Sequence, residues 1–213
     1  MLTGSASLRV CRPPQTASFL PLMDRFRRYL AAFPQLSSPD VELVLQHMQV
    51  RSFRRGEYLL QPGEVCRRGG FLLEGVVRVF HLTETGQDIT RYFLHEEDFV
   101  VCPDSFHQQI PSLNGLQALT HGVLVEVSHD RYHALFAQVP AWQSVTMRIL
   151  ERSLLQIVEN RSHLAVEDAA TRYERFLAEQ PDVARRVPLH CVASYLGIRP
   201  ASLSRLRRER MHA

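Results

Sequence analysis

The densest set of chemically able side chains in the 213-residue sequence lies near its C-terminal end. Arg199, Arg205, Arg207, Arg208 and Arg210 fall there within a stretch that holds one acid, Glu209. A guanidinium presents a planar fork of N–H donors, which suits bidentate contacts to phosphate oxygens and to the guanine edge. The chain has no Lys, so every fixed side-chain cation is of this kind. Residues 151–213 carry 11 Arg and 8 acidic residues, and that excess accounts for the whole net charge of +3. A basic segment at one end points to a polyanionic partner.

The residues between these arginines say how they would be presented. Ala193 is small where a second helix must cross closely, and Gly197 stands where the chain must turn with a positive φ. Pro200 suits the first turn of a new helix. Val192, Leu196, Ile198, Leu203 and Leu206 have the spacing that packs two short helices at a steep angle. The second helix then keeps Ala201, Ser202, Ser204, Arg205, Arg207 and Arg208 outside, a small, hydrogen-bonding and cationic face of the kind that fits a major groove. On this helix-turn-helix reading Arg205 contacts a base edge, guanine by preference. Ala201 and Ser202 approach bases near the helix start, and Arg199, Arg207 and Arg208 clamp phosphates.

Other reactive residues are scattered. Cys11, Cys66, Cys102 and Cys191 show no C-x-x-C spacing and read as reduced thiols. His129 and His133 lie one helical turn apart but read as surface residues. His81, His95 and His121 show no H-x-H spacing of the sort a cupin-like metal enzyme needs. No metal, cofactor or catalytic set is expected, and the chain is not expected to be an enzyme.

The elements that must hold the C-terminal pair read as α+β. Residues 1–18, with Pro13 and Pro14 and no apolar core after Arg9 and Arg12, read as a disordered lead-in rather than a secretory signal. No apolar run of eighteen residues occurs, so no membrane span and a cytoplasmic location are expected. Helical spacing over 19–33 ends at Pro34. Ser38, as N-cap, and Pro39 open a second helix. From 50 to 127 short apolar runs alternate with turn signals at Gly56, Gly63, Gly75 and Gly86, the pattern of a β-sandwich, roll or barrel. Residues 19–138 therefore form a β-roll domain with flanking helices. Residues 139–164 form one long helix with Trp142, Val145, Ile149 and Ile157 on a stripe suited to a second copy of the chain. Residues 165–213 form the helix-turn-helix domain.

This order of parts resembles the catabolite-activator/fumarate-nitrate-regulator (Crp/Fnr) family of bacterial transcription factors over about residues 20–210. The runs at 55–60 (Arg-Gly-Glu-Tyr-Leu-Leu), 74–79 (Glu-Gly-Val-Val-Arg-Val) and 192–198 (Val-Ala-Ser-Tyr-Leu-Gly-Ile) carry the likeness. The resemblance implies a jelly-roll domain of the cyclic-nucleotide-binding type and a homodimer joined along the long helix. It also implies two recognition helices set in successive major grooves of double-stranded DNA, about 34 Å apart. It places candidate ligand-pocket residues at Val101, Cys102, Asn114 and Gly115. The sequence departs from the cyclic-nucleotide-binding members. Their Gly-Glu pair is missing between Asp98 and Phe106, and their Arg is missing between Ser112 and Gln117. A phosphate ester would meet Asp98 and Asp104 with no cation, so gating by cyclic AMP is not expected, and the pocket is either vestigial or takes an unknown neutral ligand. The sequence also stops soon after the second helix, without the β-hairpin wing of many relatives, which implies fewer phosphate contacts. The competing reading is a small-molecule-binding roll whose C-terminal domain no longer binds DNA.

Overall fold

The computed structural model describes residues 20–162 and 167–212. The lead-in 1–18 and residues 163–166, where the long helix was expected to give way to the C-terminal domain, lie outside the described residues.

Two helices come first, α1 (Leu20–Ala31) and α2 (Ser38–Gln46). The N-cap of α2 is Ser37, one residue earlier than the sequence suggested. Asp40 decides this: the Ser37 N–H donates to its carboxylate at 2.9 Å, while the Asp40 N–H donates to Ser37 Oγ at 3.3 Å. That reciprocal pair satisfies two orphan donors at once.

Eight strands follow: β1 (Gln49–Phe53), β2 (Tyr58–Leu60), β3 (Arg68–Glu74), β4 (Val77–Leu82), β5 (Asp88–Leu94), β6 (Phe99–Val100), β7 (Asn114–Ala118) and β8 (Gly122–Ser128). They form two antiparallel four-stranded sheets, ordered β1-β8-β3-β6 and β2-β7-β4-β5. A short helix α3 (Pro103–Gln108) interrupts the series after β6. Alternation along the strands sorts the core. Leu72, Val77, Val79, Leu94 and Leu124 fill the space between the sheets. Phe71, Leu73 and Val125 pack with Phe26, Leu30, Val44 and Leu135 of the helices.

After α4 (His129–Gln138) the long helix α5 runs from Trp142 to Ser162. It starts three residues later than expected, because Pro140 bars the α conformation to its predecessor. Val139 accordingly takes φ −121°, ψ 102° and closes α4. The helices α6 (Ala169–Glu179), α7 (Pro181–Arg186), α8 (Leu189–Tyr195) and α9 (Pro200–His212) complete the described chain. The six-residue α7 was not anticipated.

The C-terminal helices do not stand apart from the roll. Val76, Phe93 and Leu119 join Phe176, Val183, Val192, Leu196 and Leu203 in one apolar cluster. The Phe93 ring lies 5.8 Å from Phe176 and 5.3 Å from Tyr195, centroid to centroid. Replacing Phe93 by Ala would leave a void at this junction and is expected to cost about 3–5 kcal/mol of stability. Chemical denaturation monitored by far-UV circular dichroism measures that loss.

Candidate functional site

The corner between α8 and α9 is built by a short run of local rules. Leu196 closes α8 and Gly197 follows at φ +66°. The Ile198 N–H donates to Ala193 O at 3.0 Å and the Gly197 N–H to Ser194 O at 3.1 Å, the double closure of a Schellman motif. A Cβ on Gly197 would meet nothing nearer than Arg172 Nη1 at 3.8 Å, so the glycine is required by φ and not by space. Ala193, Val192, Leu196 and Leu203 are buried, and Ile198 and Leu206 pack partly against them. These contacts set the pose of α9.

The opposite face of α9 is open. Ala201, Ser204, Arg205, Arg207 and Arg208 are exposed, as is Arg199 just before the helix. Ser202 is half-buried rather than fully outside. Ser204 Oγ donates back to Pro200 O at 3.0 Å, which points its hydroxyl along the helix. Arg205 Nε lies 3.7 Å from Glu209 Oε1, and Arg210 pairs with Glu174 across to α6 at 3.0 Å. Arg199, Arg207 and Arg208 have no ion-pair partner among the described residues. The arrangement offers free guanidinium donors on a convex helix that no other described element covers.

Docking of α8 fixes this pair against the roll. β5 is an edge strand, and the Thr90 N–H that an edge leaves open donates to Ser194 Oγ at 2.9 Å. Beneath it the buried Arg78 holds Asp88, Thr90 and Gln117. At the other end of the junction Arg186 grips both carboxylate oxygens of Glu96 at 2.7 and 2.8 Å, and the Gly75 N–H donates to the same group. Burial alone would raise the Glu96 carboxyl, but the Arg186 and Gly75 hydrogen bonds outweigh it and hold the group down at about 2. A carboxylate depressed in the fold stabilises it above its unfolded pKa of about 4.3, and that contribution fades as pH falls toward about 2. The melting temperatures of wild type and Glu96→Gln are therefore expected to differ at pH 6 and to converge as pH falls through this window.

The expected dimer residues are placed differently from the sequence reading. Trp142 and Val145 are buried in the chain's own core with Phe26, Leu30 and Leu135, and Ile149 packs partly against that core. Ile157 is half-buried and lines a cavity beside the roll. The stripe therefore faces inward. A second row on α5 is uncovered: Met147 (60% exposed), Leu150 (41%), Leu154 (58%), Leu155 (57%) and Val158 (56%). Leu150, Leu154, Leu155 and Val158 appear in the sequence as a widening of the first stripe. Which row lies inside depends on the azimuth at which α5 meets the roll.

Of the ligand-pocket candidates, Cys102 is buried in the roll interior, where burial pushes its thiol up to about 11. Gly115 is buried under Phe80, whose Cε1 would sit 2.3 Å from an added Cβ. Asn114 Oδ1 is buried without a hydrogen-bond partner in the structure. Val101 lines a cavity of about 160 Å³ between the roll, α3 and α5. Asp98 lines that cavity too, whereas Asp104 is exposed on α3. A second cavity, of about 460 Å³, opens at Arg51, Arg67 and Arg68. Arg51 and Arg68 both pair with the buried Glu126, at 3.5 and 2.8 Å, so two of its three cations are already matched. The His129 and His133 ring centroids lie 4.3 Å apart, and no group of three metal-ligating side chains gathers among the described residues.

The described chain thus joins a two-sheet roll, with a short helix after its sixth strand, to a long helix and a glycine-cornered helix pair. Residues 50–139 match the family described as cyclic nucleotide-binding domain. The fold is that of solved Crp/Fnr-type regulators. It superposes on the c-di-GMP responsive global regulator CLP of Xanthomonas campestris with a TM-score of 0.68 and 18% identity, over 83% of this chain and 92% of that one. FixK2 of Bradyrhizobium japonicum gives 0.65 and 15%, over 76% and 83%. The Thermus thermophilus catabolite activator protein gives 0.52 and 21%, over 83% and 84%. At these identities the likeness is one of fold. No curated protein sequence matches the chain. No described helix is long and apolar enough to cross a membrane.

Proposed function

We propose that this chain is a sequence-specific, DNA-binding transcriptional regulator of the Crp/Fnr type, acting as a homodimer and not gated by cyclic AMP. The observation that carries the reading is the open face of α9, where Ala201, Ser204, Arg205, Arg207 and Arg208 are exposed behind the Gly197 corner. An α-helix of this width enters the major groove of B-DNA, where small side chains allow close approach and a guanidinium can bond both acceptors of guanine. Ala201 and the half-buried Ser202 approach bases near the helix start. Arg199, Arg207 and Arg208 position the helix through phosphates. The uncovered row from Met147 to Val158 on α5 supports self-association, with the two recognition helices set about one DNA turn apart.

Against cyclic AMP stands the absence of a Gly-Glu pair between Asp98 and Phe106 and of an arginine between Ser112 and Gln117. Retention of the full chain on genomic DNA fragments tests the reading. Each phosphate neutralised contributes a slope of about −0.9 in log K against log salt, so binding is expected to fall steeply between low and moderate salt. Binding that is absent or indifferent to salt would favour a roll protein whose C-terminal helices have lost DNA.

A further inference from the structure

We propose that the seam where α7 and α8 meet the edge of β5 sets the distance and twist between the two recognition helices, with Ser194 and Glu96 as positioning residues for half-site spacing; this rests on the dimeric regulator reading above. The seam is polar at both ends and apolar in the middle. At one end Ser194 Oγ accepts the Thr90 N–H at 2.9 Å and donates to Asp88 O at 3.4 Å. At the other, Arg186 of α7 holds both carboxylate oxygens of Glu96 at 2.7 and 2.8 Å. Between them the Phe93 ring packs on Phe176 and Tyr195. Six residues separate Thr90 from Glu96, a span of up to about 20 Å in extended chain. A helix pair held only at Phe93 could pivot there; anchors on both sides of that ring oppose the rotation.

The roll side of the seam is itself braced. Val79 pairs with Tyr92 and Phe80 with Thr90, so Arg91 is an extra, bulged residue in β5. A bulge disrupts the ladder and bends its strand, which leaves the direction of the edge to be fixed by other contacts. Arg78, 5% exposed, supplies them. It donates to both carboxylate oxygens of Asp88, to Thr90 Oγ1 at 3.1 Å and to Gln117 Oε1 at 2.9 Å, and so links β5 to β4 and β7. Buried ion pairs add little net stability and are best attested as devices that select one geometry. Ser194 carries that geometry onward. Its side chain touches the roll, while its carbonyl oxygen accepts the Gly197 N–H of the corner at 3.1 Å. The β5 edge is thereby connected to the pose of α9, whose arginine-bearing face stays exposed in it.

One added base pair turns a half-site by about 35° and moves it by about 3.4 Å. A rigidly seated pair of recognition helices cannot follow, and the DNA must deform at a cost; a loosened pair can follow.

The test uses the full chain and inverted pairs of the half-site found by random-site selection, with the spacer changed one base pair at a time. Wild type is expected to prefer one spacer by at least about tenfold over its neighbours, and Ser194→Ala to narrow this to about threefold or less with the half-site motif unchanged. Ser194→Thr keeps the hydroxyl and is expected to restore the preference. Glu96→Gln weakens the other anchor and should relax spacing in the same direction, so that if one variant fails to fold by circular dichroism the other decides. A wild type indifferent to spacing, folded variants as selective as wild type, or a relaxation that Ser194→Thr does not reverse would each overturn the proposal and leave the regulator reading standing. A wild type that retains no DNA at all would remove that reading, and the proposal with it.

Discussion

Arg205→Ala is expected to relax sequence preference at one position of each half-site while leaving both the fold and general DNA affinity in place. The side chain is 71% exposed and its ion pair is a 3.7 Å contact with Glu209 on the next helical turn. Exposed pairs of this kind contribute about 0–1 kcal/mol, so little stability is at stake. What is lost is a base-edge contact worth about 1–3 kcal/mol of discrimination, and a two-fold dimer loses it in each half-site. Random-site selection with the variant should return a motif with one position in each half relaxed. Arg207→Ala and Arg208→Ala should behave otherwise, weakening binding to all sequences alike and lowering the salt slope by about one each, because a phosphate contact carries no base information. An unchanged motif from the Arg205 variant would take base reading away from this residue. The Gly197 corner and the apolar underside of α9 would then need another explanation for why they hold a cationic face clear of the protein.

Leu154→Asp is expected to split the dimer, with the mass in light scattering falling to that of one chain and tight DNA retention lost with it. Leu154 is 58% exposed and sits in the row that runs through Met147, Leu150 and Val158, at spacings of three and four that keep one helix face together. A charge there costs nothing in a lone chain but would be desolvated and unpaired between two helices. The contrast with the inner row makes the experiment decisive. Trp142 is 3% exposed and Val145 is fully buried, both against α1 and α4. Trp142→Ala should therefore destabilise the protomer by about 3–5 kcal/mol instead of separating intact subunits. Ile149→Asp should act on the same core, since Ile149 packs partly against it. A Leu154 variant that keeps its dimer mass would place the subunit contact elsewhere and leave this row to another partner.

The C-terminal helix pair and the punctuation of the roll were legible because their causes are local. A positive φ at Gly197, a proline at the start of α9 and a glycine in the β4–β5 turn, Gly86 at φ +79°, are conditions that neighbouring residues impose on a chain whatever lies around them. Leu72 and Leu73 fall on opposite faces of β3, as the two-residue period of a strand requires. By itself, then, the sequence determined that an arginine-bearing helix follows a tight corner, and that short strands precede a long helix. The α5 azimuth was not local. Apolar residues wrap more than half of that helix, and only packing against α1, α4 and the outer face of the β1-β8-β3-β6 sheet selected Trp142, Val145 and Ile149 for burial and left Leu154, Leu155 and Val158 outside. The seat of α8 on the β5 edge and the cavity beside α5 likewise exist only once distant segments meet. Periodicity says that a helix has a buried side; which side it is depends on the shape of the surface it lands on, and that surface is assembled from residues far away in the chain.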